Sequence, residues 1–356
     1  MSPNDSMFLG QPPRIAVPGI EGAYVHVGST INNTVVFLGY ADKLAPGGIR
    51  CIGTGFLIGK GNVGYLCTVR HVAIQLDNVP FVIRLNRKDG RAELIQVDNR
   101  RWTYPSDPTV DLAAMLFHLN TESIYDISYI TEPSFLDEKF VLSHEVDVGE
   151  ICYTVGLFRF IYGDQKNFPL VHSGNIALMP PPGERIPIWD STLNTKQMVE
   201  GYLIESRAID GASGSPVFVR RTFRPDPNIP EFQFRNRPGD VPINPILAES
   251  RVHLLGVFQG AWFAPPDPNL PIQSRAKGGN IVPVGVGIVI PNSKILDLLE
   301  DPFLKKYRTD KARQEAATQL AVSQAPEPPT KADNPQHKEA FMRLVSEAAK
   351  KPRPTE

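Results

Sequence analysis

The chain has 356 residues, 42% hydrophobic and 21% charged, a balance that suits a folded globular protein of one large domain or two smaller ones. Lys plus Arg is 37 and Asp plus Glu is 38, a net charge of -1, so nothing draws the molecule as a whole to nucleic acid, and no nucleic-acid partner is expected. Three cysteines, Cys51, Cys67 and Cys152, form neither a disulfide framework nor a C-x-x-C pair; no metal and no cofactor is expected. The N-terminal segment lacks a basic start followed by an apolar run, and no stretch reaches bilayer-spanning length. A cytoplasmic protein without membrane contact is therefore expected.

Residues 1–22 are polar and Pro-bearing and read as an N-terminal arm. From residue 23, short β-rich runs recur between turn residues, at 23–27, 34–40, 55–58, 64–69, 81–85, 92–97 and 112–117. A second series follows at 151–157, 170–178, 202–205, 216–219, 253–258 and 285–290. Many short strands at regular spacing, with Pro (34) and Gly (28) abundant, point to barrels or sandwiches and not to βαβ units. Two Pro-rich inserts, 221–245 and 264–280, interrupt the second series and read as surface loops, since Pro cannot donate to a sheet ladder. The first convincing helix is predicted after Pro291-Asn292-Ser293, over Ile295, Leu296, Leu298 and Leu299.

Beyond Phe303 the composition turns to Lys, Glu, Ala, Gln and Pro. Residues 301–356 hold 11 basic and 8 acidic side chains, and 304–356 read as a charged, flexible, partly helical tail. Phe341, Leu344, Val345 and Ala348 fall at i, i+3, i+4 and i+7, so 331–351 is predicted as an amphipathic helix that could dock on a protein partner.

The chemistry-bearing segment is Asp210-Gly211-Ala212-Ser213-Gly214-Ser215-Pro216, between two β-runs. Glycines around a serine allow a tight turn that exposes the hydroxyl while the N–H groups of Gly211 and Ser213 converge as an oxyanion site. A serine hydroxyl needs a base. Of seven histidines, His71 stands out because it closes the run 64–69 at a strand end, free to face a cleft. An acid must then orient the imidazole, and Asp111 stands directly before an apolar run, where a carboxylate needs a hydrogen-bond partner. Gly53-Thr54-Gly55-Phe56-Leu57-Ile58-Gly59-Lys60 has the wrong spacing for a phosphate loop and reads as hairpin.

The order His71, Asp111, Ser213 is that of the chymotrypsin arrangement. With Thr68-x-x-His71, Asp111-Leu112-Ala113 and Gly211-x-Ser213-Gly214-x-Pro216, residues 23–300 resemble the trypsin-like serine peptidases of bacterial type. The resemblance implies an all-β fold of two six-stranded antiparallel barrels, 23–140 carrying His71 and Asp111 and 141–303 carrying Ser213 and a terminal helix. It implies a serine endopeptidase acting on a protein or peptide substrate, with Ser213 as nucleophile, His71 as base and Asp111 as its orienting acid. Gly211 and Ser213 N–H groups would bind the oxyanion. Gly256, Val257, Phe258 and Gln259 would lie on the substrate strand, with Arg207 and Gly287 near the specificity pocket. Two departures are visible. Ala212 replaces the Asp that animal members carry before the nucleophile, and Val72 replaces the Cys after their histidine. The alternative is a catalytically inactive trypsin-like fold that serves as a protein-binding module.

Overall fold

The computed structural model describes residues 29–97, 102–119, 124–143, 146–159, 161, 163–190, 195–206, 211–220, 252–263, 283–324, 339 and 342–343. Two compact units are distinguished, Met1–Lys306 and Tyr307–Glu356.

In the first unit the elements follow in chain order. A short helix α1 (Ser29–Asn32) leads into β1 (Val35–Ala41), β2 (Ile49–Lys60) and β3 (Val63–Thr68). Helix α2 (Arg70–Leu76), β4 (Phe81–Asn86), β5 (Ala92–Val97), β6 (Ala113–Phe117) and β7 (Ile130–Thr131) complete the first β-half. Helix α3 (Glu138–Leu142) precedes β8 (Ile151–Gly156), β9 (Leu170–Leu178), β10 (Ile186–Asp190), β11 (Thr195–Val199), β12 (Tyr202–Glu205), β13 (Pro216–Arg220), β14 (Val252–Phe263) and β15 (Pro283–Pro291). Helix α4 (Asn292–Leu299) follows, and α5 (Pro302–Gln324) begins in the first unit and continues into the second.

The predicted strand runs recur, most with small shifts of boundary; 55–58 and 253–258 are parts of the 12-residue strands β2 and β14, and 23–27 lies outside the described residues. The two β-halves differ in closure. The second is a closed six-stranded antiparallel barrel in the order β12-β15-β14-β13-β8-β9. The first follows the path β5-β4-β1-β2-β3-β6, with β7 added parallel to β2. Its end strands β5 and β6 are not paired with each other among the described residues, and the free edge of β6 is met by Thr103, bridged to Ala114. A second closed barrel is therefore not part of the described architecture.

Apolar residues explain both layers. Val36, Leu38, Phe56, Ile58, Leu66, Leu85, Ala113 and Met115 are buried in the first half, in a core that continues through Val155, Phe218, Leu254 and Ile290 of the barrel strands. The barrel's own interior holds Cys152, Ile176, Ile204, Val217, Val219, Leu255, Phe258 and Val289. One shared core makes the halves pack as a single body, because separating them would expose that apolar area to water. A polar clamp adds to it. The guanidinium of buried Arg84 in β4 donates to the Gly163 carbonyl at 2.7 Å, to Asn167 Oδ1 at 3.0 Å and to the Asp164 carbonyl at 2.6 Å.

One reading of the chain changes. The helix after Pro291 is present, but α1, α2 and α3 precede it. Val72, Ala73 and Leu76 give α2 a buried stripe despite its β-branched residues. The tail begins as helix, since 302–324 is rich in Ala, Lys, Arg, Gln and Glu, all good helix formers. Glu339, Met342 and Arg343 are also helical; the rest of 331–351, including Phe341, Leu344, Val345 and Ala348, lies outside the described residues, as do 1–22, 221–245 and 264–280. Arg220 and Val252 stand directly opposite each other in the β13–β14 ladder. No helix among the described residues is long and apolar enough to cross a membrane.

Candidate active site

His71 does not end a strand. It occupies the first turn of α2, immediately after the residue that follows β3, Val69, and after Arg70. The helix has no side-chain cap of its own at Val69. Asp111 supplies one from the start of the neighbouring strand β6, where Ala113 pairs with Thr68 of β3. Its Oδ1 accepts the His71 backbone N–H at 2.9 Å, satisfying one of the donors a helix start leaves free. Its Oδ2 lies 2.7 Å from His71 Nδ1. One carboxylate thus holds both the backbone and the ring of the same residue. Facing a carboxylate, Nδ1 carries the proton and Nε2 is left as an acceptor. The imidazole side chain is 48% exposed and the Asp111 side chain 16%, so the ring faces solvent while its partner is shielded.

Asp111 reaches this position from a tight turn. The amide and hydroxyl of Thr109 donate to Asp107 Oδ1 at 2.8 and 2.6 Å, and Val110 N donates to the Asp107 carbonyl at 3.2 Å. The two Thr109 bonds, and after them Arg185, hold the Asp107 carboxyl below its ordinary pKa. On the other flank of α2, Arg70 Nη2 donates to the Pro105 carbonyl at 2.7 Å and stacks on Tyr104 at 5.3 Å.

Ser213 sits in a four-residue turn closed by a Ser215 N–H to Ala212 carbonyl bond of 2.9 Å. Gly214 is its third residue, with φ +87°, the conformation a type II turn reserves for glycine. A Cβ there would also collide with the Thr54 carbonyl oxygen and Thr68 Oγ1. The turn is held on β14 by Gly214 N to Phe258 O (2.9 Å) and Phe258 N to Ser215 O (2.8 Å). Ala212 packs into the barrel core, where an Asp would bury a charge at considerable cost. Gly211 has φ +93°. The N–H groups of Gly211 and Ser213 donate to no acceptor among the described residues.

The turn is seated on the first half. Thr54 N donates to the Ser213 carbonyl at 3.0 Å, and a Cβ on Gly53 would stand 2.7 Å from Val72, next to His71, and 3.4 Å from that same carbonyl. The backbone of the serine and the histidine helix therefore flank one glycine. The Ser213 hydroxyl donates to the Gln259 carbonyl at 3.1 Å, and not to His71. Gln259 lies at a register shift of β14, between Phe258 paired with Val289 and Gly260 paired with Ile288.

The other anticipated site residues fall as follows. Gly256 and Val257 are buried in β14, paired with Pro291 and Ile290. Phe258 is buried, and a Cβ on Gly287 would strike its ring and stand 3.0 Å from Ser206 Cβ. Gly287 thus makes room for the Phe258 ring. Arg207 lies outside the described residues.

Thr54 escaped the sequence reading. Its hydroxyl donates to the Gly211 carbonyl at 2.8 Å and accepts Leu157 N at 2.9 Å, and its carbonyl accepts Thr68 Oγ1 at 2.7 Å. The flanking pair Gly53 and Gly55, in a stretch that reads as hairpin, is the available signal. No protein-family model matches the chain, and no curated protein is significantly similar to it.

Proposed function

We propose that the chain is a serine endopeptidase of the trypsin-like type, with the first β-half as counterpart of that family's first barrel. The observation that supports it most is the two-point hold of His71 by Asp111, through the backbone N–H at 2.9 Å and Nδ1 at 2.7 Å. That hold fixes the tautomer in which Nε2 can accept a proton. In the working state Ser213 Oγ turns about χ1 from the Gln259 carbonyl to His71 Nε2, and the substrate strand takes over that carbonyl. Ser213 attacks the peptide carbonyl carbon, and its proton passes to Nε2. The oxyanion is bound by the N–H groups of Gly211 and Ser213. As the C–N bond breaks, Nε2 returns the proton to the leaving amine, and water releases the acyl group by the same steps in reverse roles.

The Ser213 to Gln259 hydrogen bond favours a second reading, a retired peptidase fold that binds partners without cleaving them. A fluorophosphonate probe decides between them. Native protein is expected to be labelled and Ser213→Ala not; equal labelling of the two, or none, overturns the hydrolase reading.

A further inference from the structure

The β10–β11 hairpin forms a two-stranded sheet separate from both β-halves. Its base reaches the first of them. Arg185, just before β10, donates from Nη2 to Asp107 Oδ2 at 2.9 Å and from Nη1 to Thr109 Oγ1 at 3.4 Å. Nη1 also donates to the Met198 carbonyl of β11 at 3.4 Å, which fixes the guanidinium on its own hairpin. The hairpin's other contact is with the barrel. Trp262 Nε1 donates to the Pro187 carbonyl at 3.1 Å, and Ile186, Ile188 and Val199 are buried together with Ile288. Trp262 stands three residues beyond Gln259, whose carbonyl holds the Ser213 hydroxyl. The turn that Arg185 grips ends at Val110, and the next residue is Asp111.

We propose that this hairpin is a strap between the two halves of the site, and that Arg185 is a positioning residue that sets the Asp111 carboxylate against His71. Asp111 precedes β6 and has no ladder of its own, so its place depends on the turn before it. The strap couples that turn to the strand on which the Ser213 hydroxyl rests. An exposed ion pair of this kind, with side chains 42% and 37% exposed, adds little to global stability, so its effect should appear in geometry.

The effect on turnover rests on the hydrolase reading; the effect on the His71–Asp111 bond does not. Proton NMR of the full chain labelled with ¹⁵N-histidine reads that bond through the Nδ1 proton of His71, assigned by its loss in His71→Ala. In Arg185→Ala this resonance is expected to move upfield or broaden, and fluorophosphonate labelling of Ser213 to slow about 5-fold. Asp107→Asn, which keeps an Oδ1 acceptor for Thr109 and removes the ion pair, is expected to move the resonance in the same direction. Should Arg185→Ala fail to fold, Arg185→Lys, which keeps the charge and loses the forked donors, takes its place. An unchanged resonance in either variant overturns the strap. A resonance that moves in a protein the probe never labels upholds the strap and overturns the hydrolase reading.

Discussion

The hydroxyl of Thr54 donates to the carbonyl of Gly211 at 2.8 Å across 157 positions of sequence. The same oxygen accepts Leu157 N, so one side chain from β2 satisfies backbone groups on two segments of the barrel half. Thr54→Val removes the hydroxyl at nearly constant volume and leaves a buried donor and acceptor unpaired. A stability loss of about 2–4 kcal/mol is expected in denaturant titration, together with slowed labelling of Ser213. Thr54→Ser should keep most of both; if Val and Ser variants behave alike, the hydroxyl has no such role.

Asp111→Asn keeps the shape of the acid but can offer Nδ1 a donor, which favours the opposite tautomer and a protonated Nε2. On the proposed peptidase reading, turnover is expected to fall about 10⁴-fold with little change in KM. A loss confined to KM would place Asp111 outside the reaction.

Gly214→Ala forces a side chain into a left-handed position against Thr54 and Thr68. A loss of about 3 kcal/mol or more is expected in thermal or chemical unfolding, since neither the backbone oxygen nor the buried hydroxyl can withdraw. A variant as stable as the parent would refute the packing of the turn.

The three thiols should be inert in the native protein. Burial pushes Cys51 and Cys152 up to about 12, and Cys67 is raised further by the same cause. A thiol raised in this way stays protonated at pH 8 and is a poor nucleophile. Iodoacetamide at pH 8 should modify none of them until denaturant is added, as read by mass spectrometry.

Asp107 titrates below the ordinary aspartate value of 3.8, chiefly through the Thr109 hydroxyl and amide and then through Arg185. A depressed folded value means that these bonds contribute fully above pH 3.8 and are lost as the pH falls through the folded value. The carboxyl ¹³C resonance of Asp107 should therefore have its midpoint below 3.8. Thr109→Val should raise that midpoint more than Arg185→Ala does; the reverse order would make the ion pair the larger influence.

Much of the β framework was legible because alternation and turn residues mark strands locally, as in 81–85, 92–97 and 202–205. His71, Asp111 and Ser213 were legible as residue types in an order, although nothing local shows that one carboxylate would grip both the amide and the ring of His71. The β10–β11 hairpin was missed for a physical reason. Pro187 reads as a strand breaker, and Thr195–Val199 is largely polar. In an isolated two-stranded ladder each strand has a free edge, where a missing N–H costs little. Helix α2 was missed because a seven-residue helix gives too short a period to stand out, and its first turn is completed by a carboxylate from 40 positions away. The role of Thr54 is likewise wholly tertiary.

Arg220 and Val252 face each other in one ladder, so the chain departs from the barrel and rejoins it at a single rung. The two ends of the connection 221–251 therefore lie at adjacent positions of the sheet. A hairpin connection of about two residues, such as Asn-Gly, would close the gap without altering any strand's register. That rung is a natural port for trimming the protein or for grafting a foreign module onto it.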